Sequence, residues 1–411
     1  MSSIRDDFID LIPNFDQRGM DLGLERMQMA LKAMGRPCKS IPAIQIVGTN
    51  GKGSITSFLQ SSLKVVGIKA GITTSPHLLS WCERISIDGG LIRPQEFRQL
   101  LISLKPLADN YQLTPFELVM ATAFEYFDEN GVELLVLEAG LGGRLDATTA
   151  HPFRPIIAIA NIGLDHCEYL GKDIKDIAKE KAAVISPKSK VISADQHPEV
   201  TQILEETIQA THSQIEWVSP LNDDWNLGLN GEIQKQNAAV AKGALEALDV
   251  LGWELQEENI RDGLAYAHWP GRLQSASWKG LPIFLDGAHN PSAAEQLSRE
   301  RMKWQQQESG VQWILGIQKQ KDAPTMIRNL LSPYDMAWIV PIPNHDSWSK
   351  KELSKACPDL EKKLFQVKEV EEAFRQLQTH TPWPTPPPVI AGSLYLLGDL
   401  LAKNTIKTQT S

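Results

Sequence analysis

From residue 44 onward the chain alternates short apolar runs with stretches whose apolar residues recur every three or four positions. The runs Ile44–Val47, Leu134–Glu138, Ile156–Asn161, Ile283–Asp286, Val311–Leu315, Ala337–Pro341 and Pro388–Ala391 have the length of buried strands. Between them, Pro115–Phe127, Gln234–Leu251 and Ser292–Trp304 carry helical spacing. Strands alternating with helices predict an α/β fold of parallel sheets covered on both faces. The tract His268-Trp-Pro-Gly-Arg272 interrupts the alternation, which predicts two domains, residues 1–270 and 271–411. Prolines 386–388 mark the start of the last strand as an edge or boundary feature. No repeat of solenoid length occurs.

The first strand runs directly into Gly48-Thr-Asn-Gly-Lys-Gly-Ser54, and the spacing of Ile55, Phe58, Leu59 and Leu63 predicts a helix from Ile55. Strand, glycine-rich loop and helix in this order form a phosphate-binding context. Backbone N–H groups converge on phosphate oxygens there, and the helix N-terminus adds positive potential. Lys52 is placed to reach the terminal phosphates and Ser54 to ligate Mg²⁺. The spacing departs from the general G-x-x-x-x-G-K-[ST] pattern, because only Thr49 and Asn50 separate the first two glycines and Gly53 stands between Lys52 and Ser54. The competing reading is a glycine-rich turn with a solvated lysine.

Glu138 closes a predicted strand, and a carboxylate there faces the crevice in which open α/β sheets bind ligands. Asp165 and His166, in Asn161-Ile-Gly-Leu-Asp-His166, follow the next strand into the same crevice. The ordinary alternative for Glu138 is a solvated strand-end acid, and a lone histidine such as His166 is more often a hydrogen-bonded structural residue than a ligand. Lys181 shares a helical stripe with Ile174, Ile177, Ala178 and Ile185. A buried ammonium is costly, so its pKa must fall, or it pairs with an acid or snorkels outward.

Composition narrows the class. Hydrophobic residues make up 42% and charged residues 22%, as in a soluble globular enzyme. With 41 Lys and Arg against 50 acids the net charge is −9, which argues against a nucleic-acid partner and confines phosphate binding to a local site. Cys38, Cys82, Cys167 and Cys357 are scattered without a C-x-x-C pair, which points to a reducing cytoplasm rather than disulfides or structural zinc. The N-terminal MSSIRDDFIDLIPNF lacks a signal-peptide core, and no apolar run reaches membrane-spanning length. The expectation is a cytoplasmic monomer acting on small molecules, without a membrane partner.

GTNGKGS, with its glycine after the lysine, resembles the ATP loop of the Mur ligase superfamily, above all of the folylpolyglutamate synthase/dihydrofolate synthase family. Thr74-Ser-Pro-His-Leu78, Leu137-Glu-Ala-Gly-Leu-Gly-Gly-Arg-Leu-Asp146, Asn161–His166, Glu180-Lys-Ala182, Trp269-Pro-Gly-Arg272, Asp286-Gly-Ala-His-Asn-Pro291 and Gly392-Ser-Leu-Tyr-Leu396 agree with it in order. The resemblance implies a P-loop-containing Mur-ligase-type ATPase domain with a parallel sheet, followed by a smaller C-terminal Rossmann-like α/β domain. It implies that Asn50, Gly51, Lys52, Gly53, Ser54, Asn237, Arg272 and Asp286 bind ATP, and that Ser75, Glu138 and His166 hold Mg²⁺. It further implies a carbamylated Lys181 supporting the metal site. His289 and Ser393 are expected beside the incoming glutamate. Phe116, Glu117, Gly143, Arg144 and Asp146 are expected around the pteridine. For Asp286, a helix N-cap is the ordinary alternative. The Lys319-Gln-Lys-Asp322 turn departs from the family's D-K-D pattern and receives no role.

The chemistry implied is phosphorylation of a folate-type carboxylate by ATP, then attack by the amine of glutamate on the acyl phosphate. The alternatives are another Mur-type amide ligase and a P-loop regulatory ATPase. The loop starts at Gly48, which leaves no room ahead of it for the nucleotide-sugar domain of cell-wall ligases, a domain of about 100 residues. The expectation covers both dihydropteroate and tetrahydrofolate polyglutamates as acceptors, without separating an enzyme of both from one restricted to extension.

Overall fold

The computed structural model describes residues 8–12, 22–304, 310–379 and 382–408. The N-terminal tract weighed as a signal peptide therefore falls outside the described residues, apart from Phe8–Ile12. The chain forms two compact units. The first runs to Gly228 and resumes over Gln234–Trp269, and the second takes Leu229–Ile233 and the chain from Pro270. The short Leu229–Ile233 segment, left in the first domain by the sequence boundary, belongs with the second. Asn230 Nδ2 donates to the Leu273 carbonyl at 3.4 Å, and the backbone N–H of Glu232 donates to the Glu300 carboxylate.

In the first unit the strands are β1 (Ala43–Val47), β2 (Ala70–Thr73), β3 (Ile85–Ile87), β4 (Gly90–Leu91), β5 (Leu134–Glu138), β6 (Ile156–Ile159), β7 (Lys190–Ala194) and β8 (Gln214–Val218). They form one sheet in the order β4-β3-β2-β5-β1-β6-β7-β8. From β2 to β8 every pairing is parallel, and every residue of β1, β5 and β6 is buried. Burial on both faces is why these strands read as continuous apolar runs rather than alternating ones. One face packs on Phe97, Phe124, Leu135 and Leu137, the other on Val47, Ile157, Ile177 and Leu204. β2–β3 and β3–β4 are antiparallel, so an antiparallel edge adjoins the parallel sheet that the pattern predicts.

The second unit builds β9 (Gln274–Trp278), β10 (Leu281–Leu285), β11 (Gln312–Leu315), β12 (Met336–Ile339), β13 (Leu364–Gln366), β14 (Val389–Ala391) and β15 (Lys407–Thr408). Their order is β13-β12-β11-β14-β10-β9-β15. Here too the sheet is parallel except at one side, where β9 pairs antiparallel with β10 and with β15. Trp313, Met326, Ile327 and Leu353 lie in its core. The chain is thus a two-domain α/β protein, as the apolar pattern predicts.

Several expected boundaries move. The loop helix spans Lys52–Val66 and starts three residues before Ile55, so Lys52, Gly53 and Ser54 occupy its first turn. The pattern at 234–251 divides into a helix over Glu232–Glu246 and a 3-10 turn over Ala247–Leu251. Ile185 lies beyond the helix Ile174–Ala182 that carries Lys181. Among the described residues no helix is long and apolar enough to cross a membrane, and all four cysteines are free thiols.

Candidate active site

In the first unit β2, β5, β1 and β6 are consecutive parallel neighbours, about 4.8 Å apart as strands are. Their carboxyl ends therefore deliver four loops side by side: Thr74–Ser75 after β2, Glu138 at the end of β5, Gly48–Ser54 after β1, and Asn161–His166 after β6. The sheet reverses its winding direction around β1, which makes this edge a topological switch point. Residues far apart in sequence meet here because of strand order.

The loop after β1 is pinned on the β6 side. Thr49 N–H donates to the Asn161 carbonyl at 2.7 Å, and Thr49 Oγ1 donates to the Gly163 carbonyl at 2.9 Å. Gly51 precedes the helix with φ 99° and no side-chain cap, which leaves the first-turn N–H groups available to an anion. A side chain at Gly51 would run into Asn237, so the buried Asn237 lies directly against the loop, held by its bond to Gln234 Oε1 at 3.0 Å. Lys52 folds back onto its own loop, donating to the carbonyls of Gly48 at 3.1 Å and Thr49 at 3.2 Å.

Ser75 N–H donates to Glu138 Oε2 at 3.3 Å, which joins two of the three expected metal ligands. Ser54 Oγ is buried in the first helical turn and has no hydrogen-bond partner among the described residues. A buried hydroxyl of this kind lacks the stabilising partner that such groups normally have, and a cation beside it supplies one. His166 stands in a left-handed turn with φ 52°, its ring 3.8 Å from Asp165 and 3.9 Å from Glu168. Among the described residues no three His, Cys, Asp or Glu side chains gather as a self-sufficient metal cluster. The donors present, two hydroxyls, a carboxylate and an imidazole, suit Mg²⁺ completed by water and phosphate oxygens rather than zinc.

Lys181 reaches this site from the helix between β6 and β7. It is 4% exposed and donates to the Gly48 carbonyl at 2.8 Å. Burial, and then the charge of Lys52, lower its pKa to about 7. Of the three sequence readings, snorkelling is excluded by the burial.

The segment expected to hold the pteridine is locked to its surroundings. Phe116 lies against Gly140, and Arg144 pairs with Glu180 at 2.8 Å. A Cβ on Gly143 would stand 2.7 Å from the Glu180 carbonyl and 3.1 Å from Lys181 Cα, so the loop touches the Lys181 helix through a bare backbone. Asp146 accepts from the N–H groups of Gly140, Leu141 and Thr148 and from Thr148 Oγ1, and burial raises its pKa. Its geometry is that of a positioning residue rather than a ligand contact. Glu117 is likewise engaged in a capping box with Thr114 and a contact to Arg26 at 3.4 Å.

In the second unit the sequence motifs also meet. Gly287 N–H donates to the Gly271 carbonyl at 2.7 Å, and Gly392 N–H donates to the Ala288 carbonyl at 2.9 Å. Asp286, at the end of β10, accepts from Leu273 N–H at 2.9 Å and Ala288 N–H at 2.8 Å. Burial raises its pKa, and Arg272 opposes the rise. The helix N-cap is Asn290, which accepts from Ala293 N–H, so the cap reading of Asp286 falls. His289 Nδ1 contacts the Gly287 carbonyl at 2.7 Å, and buried Ser393 caps the helix Leu394–Ala402. Asp322 of the role-free turn is a helix cap as well.

Sequence reasoning passed over Arg84 and His77. Arg84 is buried, donates through Nε to His77 Nδ1 at 2.8 Å, approaches Ser75 Oγ at 3.5 Å, and lies over the Trp81 ring. Burial, followed by the Arg84 charge, lowers the His77 pKa to about 3. Gln45, fully buried in β1, donates to Thr148 and Thr149 at 2.9 and 2.8 Å and thereby ties the loop strand to the Asp146 turn. Neither group carries a periodic signal.

Two family models match the chain, one described as Mur ligase middle domain over residues 46–242, the other as dihydrofolate synthetase, C-terminal domain, over residues 271–403. The dihydrofolate synthase/folylpolyglutamate synthase of Bacillus subtilis is 33% identical over 344 residues, covering 76% of this chain and 79% of that protein. The structure of Mycobacterium tuberculosis folylpolyglutamate synthase complexed with ADP and AMPPCP superposes with a TM-score of 0.85 at 26% identity, covering 97% and 98% of the two chains. That of a bifunctional folylpolyglutamate synthase/dihydrofolate synthase from Yersinia pestis, complexed with AMPPNP and Mn ion, gives 0.81 at 26% identity and 94% coverage of each.

Proposed function

The chain belongs to the folylpolyglutamate synthase/dihydrofolate synthase family of ATP-dependent ligases, and on that premise we propose that it joins L-glutamate to both dihydropteroate and tetrahydrofolate polyglutamates. The observation that carries the reading is the open first turn of the helix at Lys52, where uncapped N–H groups and the partnerless Ser54 hydroxyl adjoin Lys52. Such a turn takes phosphates and a hard cation together.

A carboxylate is a poor electrophile, so the γ-phosphoryl group of ATP passes to its oxygen and ADP departs. The glutamate amine then attacks the acyl carbon, a tetrahedral intermediate forms, and phosphate leaves as the amide closes. Lys52 and Arg272 neutralise charge that develops on the phosphoryl oxygens. Asn50, Gly51, Gly53, Ser54, Asn237 and Asp286 complete the nucleotide contacts. Mg²⁺, held by Ser75, Glu138 and His166, supplies charge neutralisation and orientation of the phosphates when bound. Lys181 takes up CO₂ as a carbamate, which places an anion beside this site. His289 and Ser393 receive the glutamate. The pteridine lies along Phe116, Glu117, Gly143 and Arg144, with Asp146 holding the loop. A cytoplasmic monomer acting on these small molecules completes the reading.

Phosphate release with dihydropteroate or tetrahydrofolate, each with and without glutamate, tests the reading. Release that requires both glutamate and a pteroate-type acid supports it. Steady release from ATP alone returns the protein to the regulatory ATPase class, and response to one acceptor only narrows the activity to that acceptor.

A further inference from the structure

Gly53, between Lys52 and Ser54, is one of two departures of this loop from the general phosphate-loop pattern, and the structure shows what occupies the space its missing side chain leaves. A Cβ at Gly53 would stand 2.7 Å from Trp269 Nε1, 2.8 Å from Cε2 and 3.0 Å from Cζ2, distances that real Cβ atoms do not show. The indole therefore presses on the backbone of the second residue of the loop helix, immediately after Lys52.

That contact ends a longer seam. Gly53, Ser57 and Ser61 recur at four-residue intervals and so share one helix face. Ser57 Oγ donates to the His268 carbonyl at 3.0 Å, and Ser61 Oγ donates to the Gly263 carbonyl at 2.6 Å. A side chain on Gly263 would enter the Ser62 backbone, so the helix Glu257–Ala265 touches the loop helix without any side chain between them. The chain is thus tied to the loop helix twice, once within that helix and once at His268 beyond it, before it delivers Trp269 to Gly53. Small residues all along one face have a partner that fits them, ending in the one large aromatic group.

We propose that Trp269 is a positioning residue for nucleotide binding, its indole fixing the first turn of the loop helix so that the N–H groups of that turn meet the phosphates in register. Backbone donors at a helix terminus have no side-chain freedom with which to correct a tilt, and the turn has no side-chain cap. Packing on its flank is what holds it. The glycine after Lys52 is required because Trp269 occupies the space. This role rests on Gly48–Ser54 being the nucleotide loop.

Calorimetric titration with a non-hydrolysable ATP analogue and Mg²⁺ tests it on the full chain in four variants beside the wild type: Trp269→Ala, Trp269→Phe, Gly53→Ala, and Gly53→Ala combined with Trp269→Ala. We expect Trp269→Ala to weaken nucleotide affinity by roughly 10- to 100-fold, each tenfold being about 1.4 kcal/mol of binding, and to raise the KM for ATP more than it lowers kcat. Trp269→Phe should recover most of the loss. Gly53→Ala should bind poorly, and removing the indole from it should restore part of the affinity, because the two changes share one clash. A merely structural tryptophan would lower the melting temperature without this coupling. Wild-type affinity in Trp269→Ala, or purely additive losses in the double variant, would overturn the proposal. Failure of the wild type to bind the analogue would instead overturn the reading of the loop itself, and the role of Trp269 with it.

Discussion

Lys181 and Lys52 direct their ammonium groups to one acceptor, the carbonyl oxygen of Gly48, at 2.8 Å and 3.1 Å. A carbonyl has two lone pairs and accepts both, yet the two positive charges oppose each other in a buried setting. Lys181 is 4% exposed, and burial, followed by the Lys52 charge, lowers the pKa of its amine to about 7. A neutral amine is a nucleophile for CO₂, and the product exchanges a repulsive cation for an anion facing Lys52. The convergence on Gly48 thus places a reactive amine beside the phosphate loop.

Stability should follow the Lys181 proton. Its amine loses the proton near pH 7 in the folded chain and near 10.5 when unfolded, so between those values the unfolded chain binds the extra proton and stability rises with pH. Below pH 7 both states are protonated and this contribution is flat. Under CO₂-free conditions Lys181→Met should exceed the wild type in stability most at pH 6. The gap should narrow by about 2–3 kcal/mol between pH 7 and 9. Urea unfolding across that range checks it, and a constant gap refutes it.

Carbamate formation joins the Lys181 nitrogen to the carbon of CO₂ and releases one proton. Stripping CO₂ should therefore lower activity, and more so at pH 6 than at pH 8. Enzyme equilibrated with ¹³CO₂ should show a carbamate carbon resonance that Lys181→Ala lacks. Full activity without that resonance would remove the carbamate and leave the ligase reading intact.

Lys52→Ala removes the cation placed to meet the phosphoryl oxygens, and glutamate ligation should fall by roughly 10³-fold, the scale of a lost transition-state contact. Steady-state rates of ligation in the purified variant measure this. Activity close to wild type would show that the loop does not serve phosphoryl transfer.

Glu138 is 2% exposed and meets the backbone of Ser75, so its carboxylate provides both charge and geometry. Glu138→Ala should abolish ligation, and excess Mg²⁺ should restore little of it. Titrating activity against Mg²⁺ is the measurement, and an unchanged dependence contradicts the assignment.

Asp146→Ala should leave three backbone N–H groups without their shared acceptor, each lost buried bond costing about 1–3 kcal/mol. Because the turn carries Gly143 and Arg144, the KM for the pteroate acceptor should rise while the affinity for ATP stays near that of the wild type. Equal loss of both affinities would place Asp146 elsewhere than in the acceptor loop.

The apolar runs at β1, β5, β6 and β11 were legible because strands buried on both faces need continuous hydrophobicity. The loop after β1 was legible because phosphate binding constrains backbone shape, and so glycine positions, locally. The edge strands β3 and β15 were not, since pairing with β2 and β9, rather than their own residues, makes them strands. β4 closes a hairpin with β3 across Asp88-Gly89, a local turn signal that the sequence reading did not use. The sequence by itself determined two α/β domains, a glycine-rich loop at Lys52 between a strand and a helix, and a set of polar residues at strand ends. The tertiary structure decided which of these come together and which brace their own turns. Strand order brings Ser75, Glu138, Lys52 and the Asn161–His166 loop to one edge, and no periodicity encodes strand order. Asp146 and Asn290 proved to be braces of their own turns, and Trp269 found its place against Gly53. Such roles depend on which groups a side chain meets across the fold, and those distances exist only once the chain has folded.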